Sequence, residues 1–345
     1  MFCALICVLL IAFNPDAMDA ARDGFALWRD CVMPALLPFF VCTSLIRQMG
    51  ALQSGNAAAL FALAFVSGAP GGARLCAQYT VDGEADEGLV NLAAALNTVS
   101  PMYIAGAFAT GMLGVPQAAI PILIGQFLSA LACMFLVRKA YGPTLLASAP
   151  EQQLPFARLF AASIAEAVSS LLSICGTIIF FMVLTRLLAV TGIMGLIALP
   201  LTALLRSIGS SAALVEPMLT GMMEMAGGTK LLAASGLPLR AAASAGAFLF
   251  SFGGLCIAAQ SMLFLPVKLK QYLPLKFAQG LLSALLCYLL FPLCFPGAAH
   301  TSMVTGETLA QNALTATAIF AVSLLGVGVV LLFSAVAGKR KRMRR

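Results

Sequence analysis

Long apolar runs alternate along the chain with short interruptions of glycine, proline, serine and asparagine. Runs such as IIFFMVL (Ile178–Leu184) and GVGVVLLFSAV (Gly326–Val336) show no alternation of period two, which argues against membrane β-strands and for helices. Apolar runs are read at 31–50, 57–80, 89–113, 116–137, 158–190, 193–206, 212–225, 237–267, 273–296 and 312–337. A helix needs about 20 residues to cross the ~30 Å hydrocarbon layer, and several of these runs are too short or too broken. Broken backbone survives at membrane depth only when buried in protein or facing a wet cavity.

The interruptions come in two sets. FFVCTSLIRQMG (Phe39–Gly50) is echoed by FFMVLTRLLAVTG (Phe180–Gly192). Each is followed by an apolar hairpin with a small-residue tip, SGAPGGAR (Ser67–Arg74) and RSIGSSA (Arg206–Ala212). A broken helix comes next, at NTVSP (Asn97–Pro101) and at SFGG (Ser251–Gly254). Matching interruptions in two halves are the sequence mark of a transporter's solute site. The predicted fold is all-α and polytopic: an inverted repeat with two re-entrant hairpins and two broken transmembrane helices.

The predicted layout starts with a short span and an amphipathic stretch over 1–30, where residues 1–13 are too few for a full upright span. The first repeat is 31–138, with its hairpin at 56–80 and its broken helix at 89–113. A cytoplasmic linker at 139–157 leads to the second repeat, 158–267, with hairpin 193–230 and broken helix 237–267. Closing helices fill 268–338, and a basic tail occupies 339–345.

Composition agrees. The chain is 61% hydrophobic and 10% charged, with mean hydropathy +1.00, whereas soluble domains carry about 25% charged residues. Six of its 20 basic residues lie in the tail Lys339–Arg345, and the rest nearly balance the 13 acidic ones. Nucleic acid is thus a poor partner. The tail reads as a positive-inside anchor, with anionic lipid recognition as the other reading. With the tail, Lys268/Lys270/Lys276 and Arg138/Lys139/Arg158 in the cytoplasm, eight crossings and two hairpins leave both termini inside, although Lys230 and Arg240 then fall on the other face. The ten cysteines lie in or beside apolar runs without metal-site spacing. They read as small hydrophobes.

The candidate site gathers around the interruptions. Ser67, Gly68, Gly71, Gly72 and Arg74 form the first tip; Arg206, Ser207 and Ser210 form the second. Asn97 and Ser100 precede Pro101, which disfavours helix at Ser100. Gly253, Gly254 and Gln260 hold the matching place in the second half, and Glu224 is an acid inside an apolar stretch. An arginine at membrane depth requires a partner, and a bidentate guanidinium suits a carboxylate. A small anionic solute is the expected ligand. Snorkelling arginines, a simple kink at Pro101, and a Glu224 that pairs, takes a proton or sits at the interface remain open readings. Gly106, Gly111 and Gly114 are expected to serve helix packing. His300 is the sole histidine and no paired nucleophile and base is present, so neither an enzyme nor a cofactor is expected. A coupling ion, H+ or Na+, and oligomerisation are left open.

PALLPFFV (Pro34–Val41), AFVSGAPGGARL (Ala64–Leu75), NxxSPMYIxG (Asn97–Gly106), GMMEMAGGTKLL (Gly221–Leu232) and FLFSFGGLCIAAQ (Phe248–Gln260) together resemble the YlbJ-type sporulation integral membrane proteins, which contain the nucleoside-recognition Gate domain. The resemblance covers roughly residues 31–267. The family's usual hairpin is closer to SGYPxGAK, so Ala69, Gly71 and Arg74 depart from it, while Arg74 keeps the positive charge. The resemblance implies a fold similar to concentrative nucleoside transporters. It also implies a role in endospore formation, linked to dipicolinate movement across the outer forespore membrane. A nucleoside-type solute and a non-transporting membrane scaffold are the alternatives.

Overall fold

The computed structural model describes residues 2–48, 57–80, 84–141, 155–207 and 212–295, which are almost wholly helical. Helix α1 (Phe2–Ala12) bends sharply into α2 (Asn14–Leu27), with about 100° between them. Pro15 sits in the first turn of α2, where a missing N–H breaks no bond. A π-helical turn, Trp28–Val32, leads into α3 (Met33–Gln48). The short helices α4 (Ala57–Ser67) and α5 (Gly71–Cys76) follow. Helix α6 (Glu87–Leu96), capped by the Asp86 carboxylate at Leu89 N (2.6 Å), stops at Asn97; the chain resumes at Pro101 and runs as a π-helix over Tyr103–Met112. Helix α7 (Ala119–Tyr141) closes the first set.

The second set repeats this order. Helix α8 (Phe156–Val190) turns at Gly192 into α9 (Ile193–Ser207). Two short helices, α10 (Val215–Met223) and α11 (Met225–Ala234), are followed by α12 (Leu239–Phe252) and α13 (Gly254–Met262), split at Gly253. Helix α14 (Leu269–Cys294) follows.

Among the described residues four helical stretches are long and apolar enough to cross a bilayer: Pro116–Tyr141, Phe156–Val190, Leu239–Met262 and Leu269–Cys294. The bent α1–α2 pair makes a fifth if counted as one span. The expected helix at 312–337, the loop at 297–311 and the basic tail lie outside the described residues. The protein is a polytopic all-α membrane protein.

Burial explains how the bundle holds its polar centre. On α14, Tyr272, Lys276, Gln279 and Ser283 recur every three or four residues, share one face and are fully buried. Leu281, Leu285, Leu289 and Leu293 of the same helix are exposed, the arrangement a lipid-facing surface requires. Lys276 therefore does not lie in the loop expected to hold it with Lys268 and Lys270, and Lys270 too is inside the helix. The helix begins at Leu269, which places Lys276 two turns inside it. Helix α12 is buried on all sides from Ala242 to Phe252, and its Phe250 meets Phe108 edge-on at 5.0 Å. Among the described residues Gly106 packs against no neighbouring helix: nothing lies within 4 Å of a Cβ placed there.

Candidate functional site

The first hairpin turns at Gly68–Pro70. Gly68 has φ +74°, a conformation that favours glycine, and a Cβ there would lie 2.7 Å from the Ser100 nitrogen. Ala69 N–H donates to Thr98 O (2.6 Å), and a Cβ on Gly72 would lie 2.8 Å from Leu96 O. The tip thus rests directly on the break between α6 and the π-helix. Ser67 donates locally to Ala64 O (3.2 Å) and lies under Gly71.

In the second half the reversal between short helices falls at Glu224, whose backbone is extended (φ −136°, ψ 111°). Its carboxylate accepts from Ala226 N (2.9 Å) and Gly227 N (2.6 Å), capping α11. The hairpin's arms touch where Gly228 meets the Gly221 backbone. A Cβ on Gly254 would lie 2.9 Å from Gly221 O, so this hairpin rests on the α12–α13 break. The tip expected at Arg206–Ala212 falls largely outside the described residues, as do Ser210 and the Arg206 and Ser207 side chains.

The two breaks meet each other. Val99 N–H donates to Phe250 O (3.3 Å), and the hydroxyls of Tyr103 and Thr229 lie 3.3 Å apart. All four interruptions surround one cavity of about 60 Å³, room for a few water molecules. Ala69, Val99 and Ser100 contribute from the first half, and Glu224, Met225, Ala226, Cys256, Ile257 and Gln260 from the second. Ile174 and Ile178 of α8, with Leu27 and Leu36, give it an apolar wall. Ser100, Tyr103, Glu224 and Gln260 are its hydrogen-bonding side chains, and no cation lines it among the described residues.

Arg74 lies elsewhere. It borders a separate, smaller pocket with Thr43, Ser44 and Gly71. Its Nη2 is 2.9 Å from Glu166 Oε1, and its guanidinium lies 4.7 Å from the Phe40 ring centroid. Ser44 donates to Glu166 Oε2 (2.5 Å), and Gln48 donates to Ser44 and Ser163 (both 3.0 Å). This polar network ties α3, the first hairpin and α8 together.

Of the sequence-predicted residues, Ser100, Glu224 and Gln260 face the shared cavity, while Gly68, Gly72, Gly253 and Gly254 shape the breaks around it. Asn97 points away, donating to Ser261 Oγ (2.7 Å) and Tyr272 OH (2.8 Å). Sequence reasoning missed Lys276 and Gln279, buried against the first break; their signal was a polar stripe at helical spacing inside an apolar run. Among the described residues no three His, Cys, Asp or Glu side chains gather to hold a metal.

The chain is 24% identical, over 332 aligned residues, to the sporulation integral membrane protein YlbJ of Bacillus subtilis (strain 168); the alignment covers 84% of this chain and 81% of that protein. No family model and no solved structure matches. The apolar spans and the helical architecture make the chain a polytopic membrane protein, and its sequence is similar to that sporulation integral membrane protein.

Proposed function

We propose that the protein is a transporter, not an enzyme, and that it carries a small solute across a bilayer through the cavity where the two hairpin tips and two helix breaks meet. The observation that carries this reading is the convergence itself. Two independent re-entrant elements and two interrupted helices, from opposite halves of the chain, close on the same space around Glu224, Ser100 and Gln260. Discontinuous helices at a shared chamber are the structural device by which transporters expose solute-binding backbone.

The solute we favour is a small dicarboxylate of the dipicolinate type, moved in the outer forespore membrane during endospore formation, in keeping with the sporulation role in the relative's name. Arg74 supports this. It stands one turn from the first tip and already grips one carboxylate, that of Glu166, so a solute carboxylate can compete for the same guanidinium. The cavity, at about 60 Å³, must open to admit an aromatic diacid.

One observation favours a second reading, a neutral ring-bearing solute such as a nucleoside. The acidic side chain at the cavity is Glu224, accompanied by Ser100, Tyr103 and Gln260, a set that suits hydroxyl and amide groups better than a dianion. Thermal-shift and uptake measurements on purified protein with dipicolinate, uridine and citrate separate the two. Stabilisation and uptake of dipicolinate support the favoured solute; stabilisation by uridine alone overturns it, and indifference to all three counts against transport of either class.

A further inference from the structure

The deepest charge in the described bundle is on neither hairpin. Lys276 is wholly buried on α14. Its Nζ donates to Asn97 O (2.7 Å) and to Gln279 Oε1 (2.9 Å), and Gln279 Nε2 in turn donates to Ala95 O (3.0 Å). Ala95 and Asn97 are at the C-terminal end of α6, where carbonyls freed by the break have no further helical turn to accept from. The ammonium thus sits among neutral oxygens at the negative end of a half-helix.

A surface lysine near a helix end would not need this setting. Burying an ammonium among uncharged groups is expensive unless oxygens are pre-arranged around it. The polar surroundings are also richer than the lysine uses. Asn97 Oδ1 and Gln126 Oε1 are buried and, among the described residues, accept no hydrogen bond. Gln126 is held at the same break, its Nε2 donating to Val99 O (2.7 Å). Those two oxygens are spare acceptors that a free cation could use once the ammonium is gone. Unwound carbonyls and half-helix C-termini are also the groups with which broken helices coordinate Na+.

We propose that the break at Asn97–Ser100 is a monovalent-cation site whose resident cation is the chain's own Lys276 ammonium. The amine neutralises the α6 terminus and fixes the break in shape, so the wild-type protein needs no inorganic cation there. Any coupling ion acts at another place. This inference stands apart from the transport reading, since its consequence is an ion dependence of stability and not of solute movement.

The test is thermal unfolding of the purified full-length protein in NaCl, KCl and choline chloride at matched ionic strength. Wild type should unfold at one midpoint in all three. Lys276→Ala should fall in choline by roughly 5 °C or more and recover in Na+ or K+, because the vacated oxygens take the free ion. Lys230→Ala, at an exposed lysine, should follow wild type and controls for general salt effects. Lys276→Gln keeps a donor of similar reach without the charge, and it decides the matter if the alanine variant does not fold. Recovery of Lys276→Gln in Na+ or K+, or its folding only when one of them is present, supports the site. Wild-type stability that rises in Na+ over choline, or Lys276 variants equally stable in all three salts, overturns it.

Discussion

Arg74 and Glu166 are joined across 92 positions of sequence by a 2.9 Å ion pair that fastens the first re-entrant hairpin to the long helix α8. The arginine side chain is 9% exposed and the glutamate 37%, so the pair is shielded on one side and wet on the other. A pair in that setting holds without being locked. Glu166 also accepts from Ser44, which fixes the carboxylate for the guanidinium and couples α3 to the same contact.

Removing either partner should loosen the hairpin. Arg74→Ala and Glu166→Gln are each expected to lower stability by about 1–3 kcal/mol, the range for a charge-assisted bond that leaves a partner behind. The double variant should lose less than the sum. Unfolding midpoints of the four proteins check this. Additive losses would show that the two side chains do not act as a unit.

The two functional consequences differ. Arg74→Ala should insert normally and fail to move a dicarboxylate, because the guanidinium for which the solute competes with Glu166 is gone. A membrane scaffold would tolerate that change and respond instead to alterations in the acidic loop at 82–88. Membrane fractionation together with solute uptake in vesicles distinguishes the outcomes.

Glycine positions grade the hairpin contacts. Gly228→Ala places a Cβ on the Gly221 backbone, where no flexible side chain can give way, and should cost about 1–3 kcal/mol. Gly68→Ala combines a left-handed backbone with contact on Ser100 and should cost at least as much. Gly106→Ala meets nothing within 4 Å among the described residues and should be close to neutral. Thermal unfolding in detergent ranks the three variants.

Glu224 caps α11 with both carboxylate oxygens. Glu224→Gln retains one acceptor and should lose about 1 kcal/mol of stability, while changing solute preference through the cavity it faces. A variant with altered stability and an unchanged solute profile would confine this residue to capping.

Much of this architecture could be read from the chain. The breaks at Asn97–Pro101 and Gly253–Gly254 announce themselves, because proline and paired glycines inside an apolar run cannot continue a helix without strain or loss of a bond. Ser67–Arg74 is legible for the same reason. The second tip is harder to read. At Met222–Gly228 a helix N-cap is written by a glutamate rather than by serine or aspartate, and its close packing shows only as Gly221 and Gly228, three residues before and four after Glu224. Partner choice is less visible still. Glu166 lies in a helix that reads as uninterrupted, and its approach to Arg74 depends on how α8 crosses the first hairpin. Lys276 looks like a loop lysine because two other lysines precede it, although Tyr272, Gln279 and Ser283 at helical spacing mark it as part of an inward polar face.

Solute is expected to bind where the four interruptions meet. Ile178 lines that space from α8 without belonging to any of the breaks, so Ile178→Phe fills the chamber while leaving both hairpins and both broken helices intact. The decisive measurement is the ligand-induced shift in unfolding midpoint, for dipicolinate and for uridine, in wild type and Ile178→Phe. A shift by either solute in wild type that disappears in the folded variant is the expected result; a shift of equal size in both proteins would place the solute outside this chamber and rule the chamber out as its site.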